Sequence, residues 1–72
     1  MKTKVLAERK YNIITGNSPN GKLVSINLDS VDYWKEDNNT TEVHLFNCNF
    51  SIWIDIPEEE FRKYYLNYKK EK

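Results

Sequence analysis

The stretch FSIWIDIPEEEFRKYYLNY, residues 50–68, changes its hydrophobic period at Pro57, and few folds accommodate that change. Before Pro57, Phe50, Ile52, Ile54 and Ile56 alternate, as along a strand with one buried face. After it, Phe61, Tyr64, Tyr65 and Tyr68 fall at i, i+3, i+4 and i+7, one narrow stripe on a helix. Proline suits the first turn of a helix, where its missing N–H would have no partner. Glu58, Glu59 and Glu60 then lie at the positive end of the helix dipole, with Lys69 and Lys70 at the negative end. A strand thus runs into a helix that returns its aromatic stripe to the sheet.

The upstream residues supply the rest of the sheet. In TEVHLF, Thr41, Val43 and Leu45 share a face. Placing Leu45 opposite Phe50 and Val43 opposite Ile52 makes the two core faces coincide, as register requires. VDYWKE puts Val31 and Tyr33 on one face and Asp32, Trp34 and Glu36 on the other, and LVSINL alternates around Val24, Ile26 and Leu28. Pro19-Asn20-Gly21 and the run DNNT are turn signals, and Asn47-Cys48 forms a short loop. Residues 4–14 read as a less regular strand. The expected fold is therefore α+β: an antiparallel β-meander of four to five strands with one C-terminal helix, residues 57–70, packed on the sheet. A single domain spans 1–72, with an N-terminal strand within 1–12.

A chain of 72 residues buries only about 60% of the surface its unfolded form exposes, so it gains from extra support. One cysteine, Cys48, precludes an internal disulfide, and one histidine, His44, does not make a zinc site. No cofactor or metal is expected, and oligomerisation is the remaining source of support. MKTKVLAERK lacks the apolar core of a signal peptide, and no run approaches the ~20 apolar residues of a membrane span. A cytoplasmic location without membrane contact is expected, in the host cytoplasm if the gene is a phage's. Nine asparagines and nine lysines suit an AT-rich coding sequence, bacterial or phage.

The net charge is zero, but the charges are segregated. Residues 1–22 hold five cations against Glu8, and residues 61–72 hold five against Glu71. Residues 23–60 hold nine acids against Lys35, a net charge of −8. Asp32, Glu36, Asp37, Glu42 and Asp55 form the acidic surface expected on the sheet. Such asymmetry steers partners, although acidic and basic helix ends are also what a dipole favours.

Reactive groups are sparse. The register places His44 opposite Ser51, on the face that also carries Asp55. Asp55 lies four strand residues from Ser51, about 13 Å at the usual rise, so one imidazole cannot serve both. No oxyanion hole accompanies them, and polar residues on a wetted face are the better reading. Cys48 has no basic neighbour to lower its pKa. The expectation is that the chain is not an enzyme.

Trp34, His44, Phe46 and Trp53 fall on the face away from the core, an aromatic patch of the kind that marks interfaces. Either this face binds a partner or a second copy, or residues 1–12 or a curled sheet cover it. The expected function is a small non-catalytic interaction or regulatory module, bacterial or phage-encoded, contacting a protein partner or itself through Trp34, His44, Phe46 and Trp53. The alternative is a nucleic-acid- or small-ligand-binding protein using the same face, or an acidic phage inhibitor mimicking nucleic acid. Nucleic acid is disfavoured because the tryptophans lie in the acidic segment, not in the positive groove that single-strand binders use.

A strand ending in Ile13-Ile14-Thr15, a turn at Asn20-Gly21-Lys22, the run Ile26-Asn27-Leu28-Asp29-Ser30-Val31, a hairpin and a Pro-Glu-rich helix start follow in order. This layout, over residues 13–68, resembles the FlbD-like flagellar and swarming motility family, and is similar to short phage proteins. Cys48 departs from the family's turn glycine, and residues 1–12 lie outside the likeness. The resemblance implies an accessory or regulatory role and transfers no site residue.

Overall fold

The computed structural model describes residues 7–71. The strands are β1 (Ala7–Lys10), β2 (Ile13–Asn17), β3 (Leu23–Asn27), β4 (Val31–Asp37), β5 (Thr40–Leu45) and β6 (Ser51–Ile54), followed by the helix α1 (Glu58–Glu71). The class is α+β, but the expected single meander is corrected: the strands form two three-stranded antiparallel sheets, β1-β2-β3 and β4-β5-β6. The reason lies between β3 and β4. Leu28–Ser30 winds into a 3-10 turn capped by Asn27, whose Oδ1 accepts from the Asp29 N–H at 2.9 Å. Leu28 is driven into the core with no exposure, and the chain enters β4 in a new sheet instead of pairing back on β3.

The irregular run 4–14 is also two strands where one was expected. Tyr11 has φ 55°, a left-handed conformation that is uncommon for a non-glycine residue, and it reverses the chain so that Lys10 faces Ile13. Residues 4–6 of that expected strand lie outside the described residues. The other turns follow their sequence signals. Gly21 takes φ 87°, and Ser18 and Lys22 close the β2–β3 hairpin with a 2.7 Å bond from the Ser18 N–H to the Lys22 carbonyl. Asn38 and Asn39 both take positive φ between the paired residues Asp37 and Thr40, the backbone of a two-residue hairpin turn matched to strand twist.

The inner faces of both sheets and one side of α1 share a core of Ala7, Ile14, Ile26, Leu28, Val31, Val43, Ile54, Ile56, Phe61 and Tyr68. Val43 pairs with Ile52 and His44 with Ser51, as the sequence register requires. Phe50 is the exception to that pattern. It lies before β6 in the β5–β6 loop, 68% exposed, and does not pair with Leu45. Asn47 at φ 62° turns the chain early, so the strand opens only at Ser51.

Pro57 ends the strand rhythm and starts the helix. Its carbonyl accepts from the N–H groups of Glu60 and Phe61 at 3.0 and 3.1 Å, which is how a residue at a helix start engages the first turn. The aromatic stripe faces inward, with Phe61 and Tyr68 buried and Tyr64 and Tyr65 half-buried. It also ties α1 to both sheets. Tyr64 Oη donates to the Ala7 carbonyl at 3.0 Å, and burial pushes its phenol pKa above the ordinary value, with the Glu60 carboxylate adding to the rise. Tyr68 Oη donates toward the two Asp29 carboxylate oxygens at 2.8 and 2.9 Å. Arg9 lies over the Tyr68 ring and pairs with Glu71 at 2.6 Å.

Candidate functional site

The four candidate aromatic-face residues do not share one face. Val31 pairs with Leu45, but Trp34 pairs with Val43, so β4 spends three residues where β5 spends two. The extra residue is a β-bulge at Asp32–Tyr33, and a bulge resets the alternation beyond it. Tyr33 is turned outward opposite His44, and Trp34 is turned inward beside Val43. The Trp34 ring meets Phe61 at 5.0 Å and Tyr65 at 5.0 Å, and its Nε1–H donates to Glu58 Oε2 at 2.9 Å. The assignment of Trp34 to the outer face is therefore corrected: it joins the sheet to the helix.

His44, Phe46 and Trp53 remain off the core. His44 stacks on Tyr33 with ring centroids 4.4 Å apart and planes 8° apart. Phe46 follows β5 and is exposed, as Phe50 is at the other end of the same loop. Tyr33, Phe46 and Phe50 are 48%, 56% and 68% exposed, so the open rings gather around the β5–β6 loop and the bulge. Alternation on the strand alone does not reveal Tyr33 or Phe50. Their signal is the aromatic type combined with a bulge and an early turn.

Trp53 pairs with Glu42 on the outer face and is half-buried. It lines a groove of about 850 Å³ with Leu23 and Val24 of β3 and with Ile52. The hairpin tips at Lys22 and Asp37 stand at its rims. Beside it, the Asp55 N–H donates to the Asn17 carbonyl at 2.7 Å and joins the two sheets. Trp53, out of phase with Ile52 and Ile54, is therefore partly covered and also lines this groove.

The polar residues of this face form a small network. Ser51 Oγ donates to Glu42 Oε2 at 2.7 Å. His44 Nε2 lies 3.2 Å from the same oxygen, yet off the line of a hydrogen bond, and that buried nitrogen has no bonded partner. The carboxylate is therefore the hub, and the serine proton is directed to it, not to the imidazole. A nucleophilic serine needs its hydroxyl on a base that is in turn oriented by an acid. Here the order is reversed, and Asp55 is exposed beyond the strand. Among the described residues, no group of three or more His, Cys, Asp and Glu side chains is placed to hold a metal ion.

The Ser51 hydroxyl holds the Glu42 carboxyl below its ordinary value of 4.5, against a smaller opposing effect of desolvation, with His44 and Lys35 adding attraction. A depressed carboxylate pKa contributes stability that is present above the unfolded value and is lost as pH falls through the folded one. Ser51→Ala is therefore expected to raise the titration midpoint of Glu42, followed by the NMR shift of its side-chain carboxyl. An unchanged midpoint would mean that the attraction of His44 and Lys35, not the hydroxyl, sets it.

Of the other acidic candidates, Asp32 sits at the bulge, Asp37 at the end of the β4–β5 hairpin and Glu36 opposite Thr41, all exposed. Among the described residues, no helix is long and apolar enough to cross a membrane. Compared with protein-family models, curated proteins and solved structures, the chain matches none of them.

Proposed function

We propose that this chain is a non-catalytic protein-interaction module, regulatory in the manner implied by its resemblance to the FlbD-like family, and that its contact surface is the aromatic end of the second sheet. The observation that carries the reading is that Phe46 and Phe50, at the two ends of one loop, are both exposed, with Tyr33 exposed on the adjoining strand where it stacks on His44. Exposed apolar clusters are uncommon on monomers and typical of contact surfaces, and aromatic side chains supply much of the binding energy where they are buried by a partner. Asp32 at the bulge is the exposed acid at this aromatic end, while Asp37 and Asp55 lie at the other end of the sheet; a partner that brings a cation to Asp32 fits this surface. Nucleic acid fits less well, because counterion release, the main source of its affinity, needs cations at the contact, and Tyr33, Phe46 and Phe50 have none beside them in sequence.

The test is affinity capture from the native host with the wild type and with the double variant Phe46→Ser, Phe50→Ser. Both residues are outside the core, so the variant is expected to keep its unfolding midpoint and to lose the captured protein. A partner held equally by both proteins would put the contact elsewhere and overturn this reading of the face.

A further inference from the structure

We propose that the outer face of α1 docks an acidic helix of a partner protein, which lies along Glu59, Lys63, Leu66 and Lys70. This contact goes beyond the aromatic end of the second sheet and sits on a different element, so neither depends on the other. The four residues follow one another at steps of four, three and four, the spacing that keeps a seam on one side of a helix, against a second helix. The buried stripe of Phe61, Tyr64, Tyr65 and Tyr68 occupies the opposite side of α1. All four seam residues are exposed, Leu66 by 55%.

Charge on this face is one-sided. Arg62, Lys63, Lys69 and Lys70 stand at i−4, i−3, i+3 and i+4 from Leu66, so they are its neighbours on the helix surface. With Glu59 and Leu66 they line a cleft of about 720 Å³. Glu71, the one acid among residues 61–71, is taken by Arg9 of β1 at 2.6 Å. Arg62 reaches Glu58 at 3.7 Å, and Lys69 lies over the Tyr65 ring at 5.3 Å. Lys63 and Lys70 have no ion-pair partner among the described residues. The helix dipole favours cations in the last turn, which accounts for Lys70 but not for Lys63 in the second turn.

The same residues select the occupant. An exposed apolar side chain ringed by polar ones is the arrangement in which a protein partner excludes water from the centre of a contact. Phosphate contacts use cations and leave such a centre wet, and Glu59 repels a phosphate backbone while it can pair with a cation on a partner helix. An interfacial helix buries a broad apolar face in lipid, and that face of α1 is already in the core. A second copy docking through the same face would set four cations against four, and like charges across a contact are unfavourable. What fits is a helix with an apolar residue over Leu66, Asp or Glu to either side of it over Lys63 and Lys70, and Lys or Arg over Glu59.

The test selects a displayed library of helical peptides, randomised along one face, on the full chain, and then uses the most enriched peptide made synthetically. Enriched faces are expected to carry Asp or Glu on both sides of an apolar residue. The peptide should bind the double variant Lys63→Glu, Lys70→Glu at least about tenfold more weakly, since two attractive charge contacts become repulsive. Leu66→Ser should also weaken binding, and the unfolding midpoint should be unchanged in both variants because the three residues lie outside the core. A peptide with Lys in place of its acids should prefer the double variant to the wild type. No acidic enrichment, equal binding by the double variant, or tighter binding of a DNA duplex or of phosphatidylserine vesicles at the same salt would overturn the proposal. So would self-association of the free protein that the double variant abolishes, which would make a second copy the occupant. The Phe46→Ser, Phe50→Ser variant should bind the peptide as the wild type does. Loss of binding there would overturn the helix contact while leaving the aromatic surface standing.

Discussion

Phe61→Ala is expected to lower stability by about 3–5 kcal/mol, the loss typical of truncating a fully buried phenylalanine. Phe61 has no exposed surface and meets the Trp34 ring edge-on at 5.0 Å, with interplanar angle 67°. It stands in the first turn of α1, where the helix leaves Pro57 and commits to the sheet. A domain of this length has roughly 4–11 kcal/mol of total stability, so the variant forfeits a large part of it. Urea unfolding followed by far-UV circular dichroism measures the change. A loss under about 1 kcal/mol would show that Tyr64 and Tyr68 hold the helix without Phe61, contrary to the cavity argument.

What the sequence made legible depended on local chemistry. Pro57 ends one period and begins another, so the change from strand to helix needs no knowledge of distant residues. The pairing of Val43 with Ile52 follows from matching two apolar faces across a short loop, and Gly21, Asn38 and Asn39 mark turns because their φ values require residues of that kind. The division into two sheets is different. Asn27–Ser30 reads only as a break, and whether the next strand pairs back or starts a new sheet depends on where Leu28 is buried. Tyr11 hides a reversal inside a strand-like run because a tyrosine in a left-handed conformation has no sequence signature. It is held by its tertiary surroundings: its ring meets Tyr68 edge-on at 5.6 Å, and its carbonyl accepts from Arg9 Nη1 at 2.6 Å.

The candidate site was legible to the same degree. Outward placement of His44 and Trp53 follows from alternation on strands with no irregularity between them, and the structure has them there. Trp34 does not, because one extra residue at Asp32–Tyr33 reverses everything beyond it, and neither glycine nor proline marks that bulge. The same reversal exchanges two rings. Tyr33, expected inside, becomes an exposed ring opposite His44, and Trp34, expected outside, becomes a link to the helix. The exposed rings move with them, from one tryptophan-centred face to Tyr33, Phe46 and Phe50 near the β5–β6 loop, while Trp53 lines a groove.

Trp34 therefore separates stability from association. Trp34→Ala is expected to destabilise the fold by about 2–4 kcal/mol, somewhat below the range for a fully buried ring because this one is half-buried. The loss has distinguishable parts. Trp34→Phe retains most ring contact with Phe61 and Tyr65 but removes the donor to Glu58, a change of about 1 kcal/mol for one hydrogen bond, or up to about 3 when the acceptor is charged. Glu58 keeps an alternative partner, Arg62 at 3.7 Å, so the lower figure is expected. Pairing Trp34→Ala with Phe61→Ala in a double-mutant cycle should recover a coupling of about 0.5–1.5 kcal/mol, as edge-to-face aromatic pairs do. Any folded Trp34→Phe protein should bind captured partners as the wild type does, because the ring faces α1 and not the contact surface. A Trp34→Phe variant with undiminished stability and weakened partner binding would reverse the assignment and return Trp34 to the outer face.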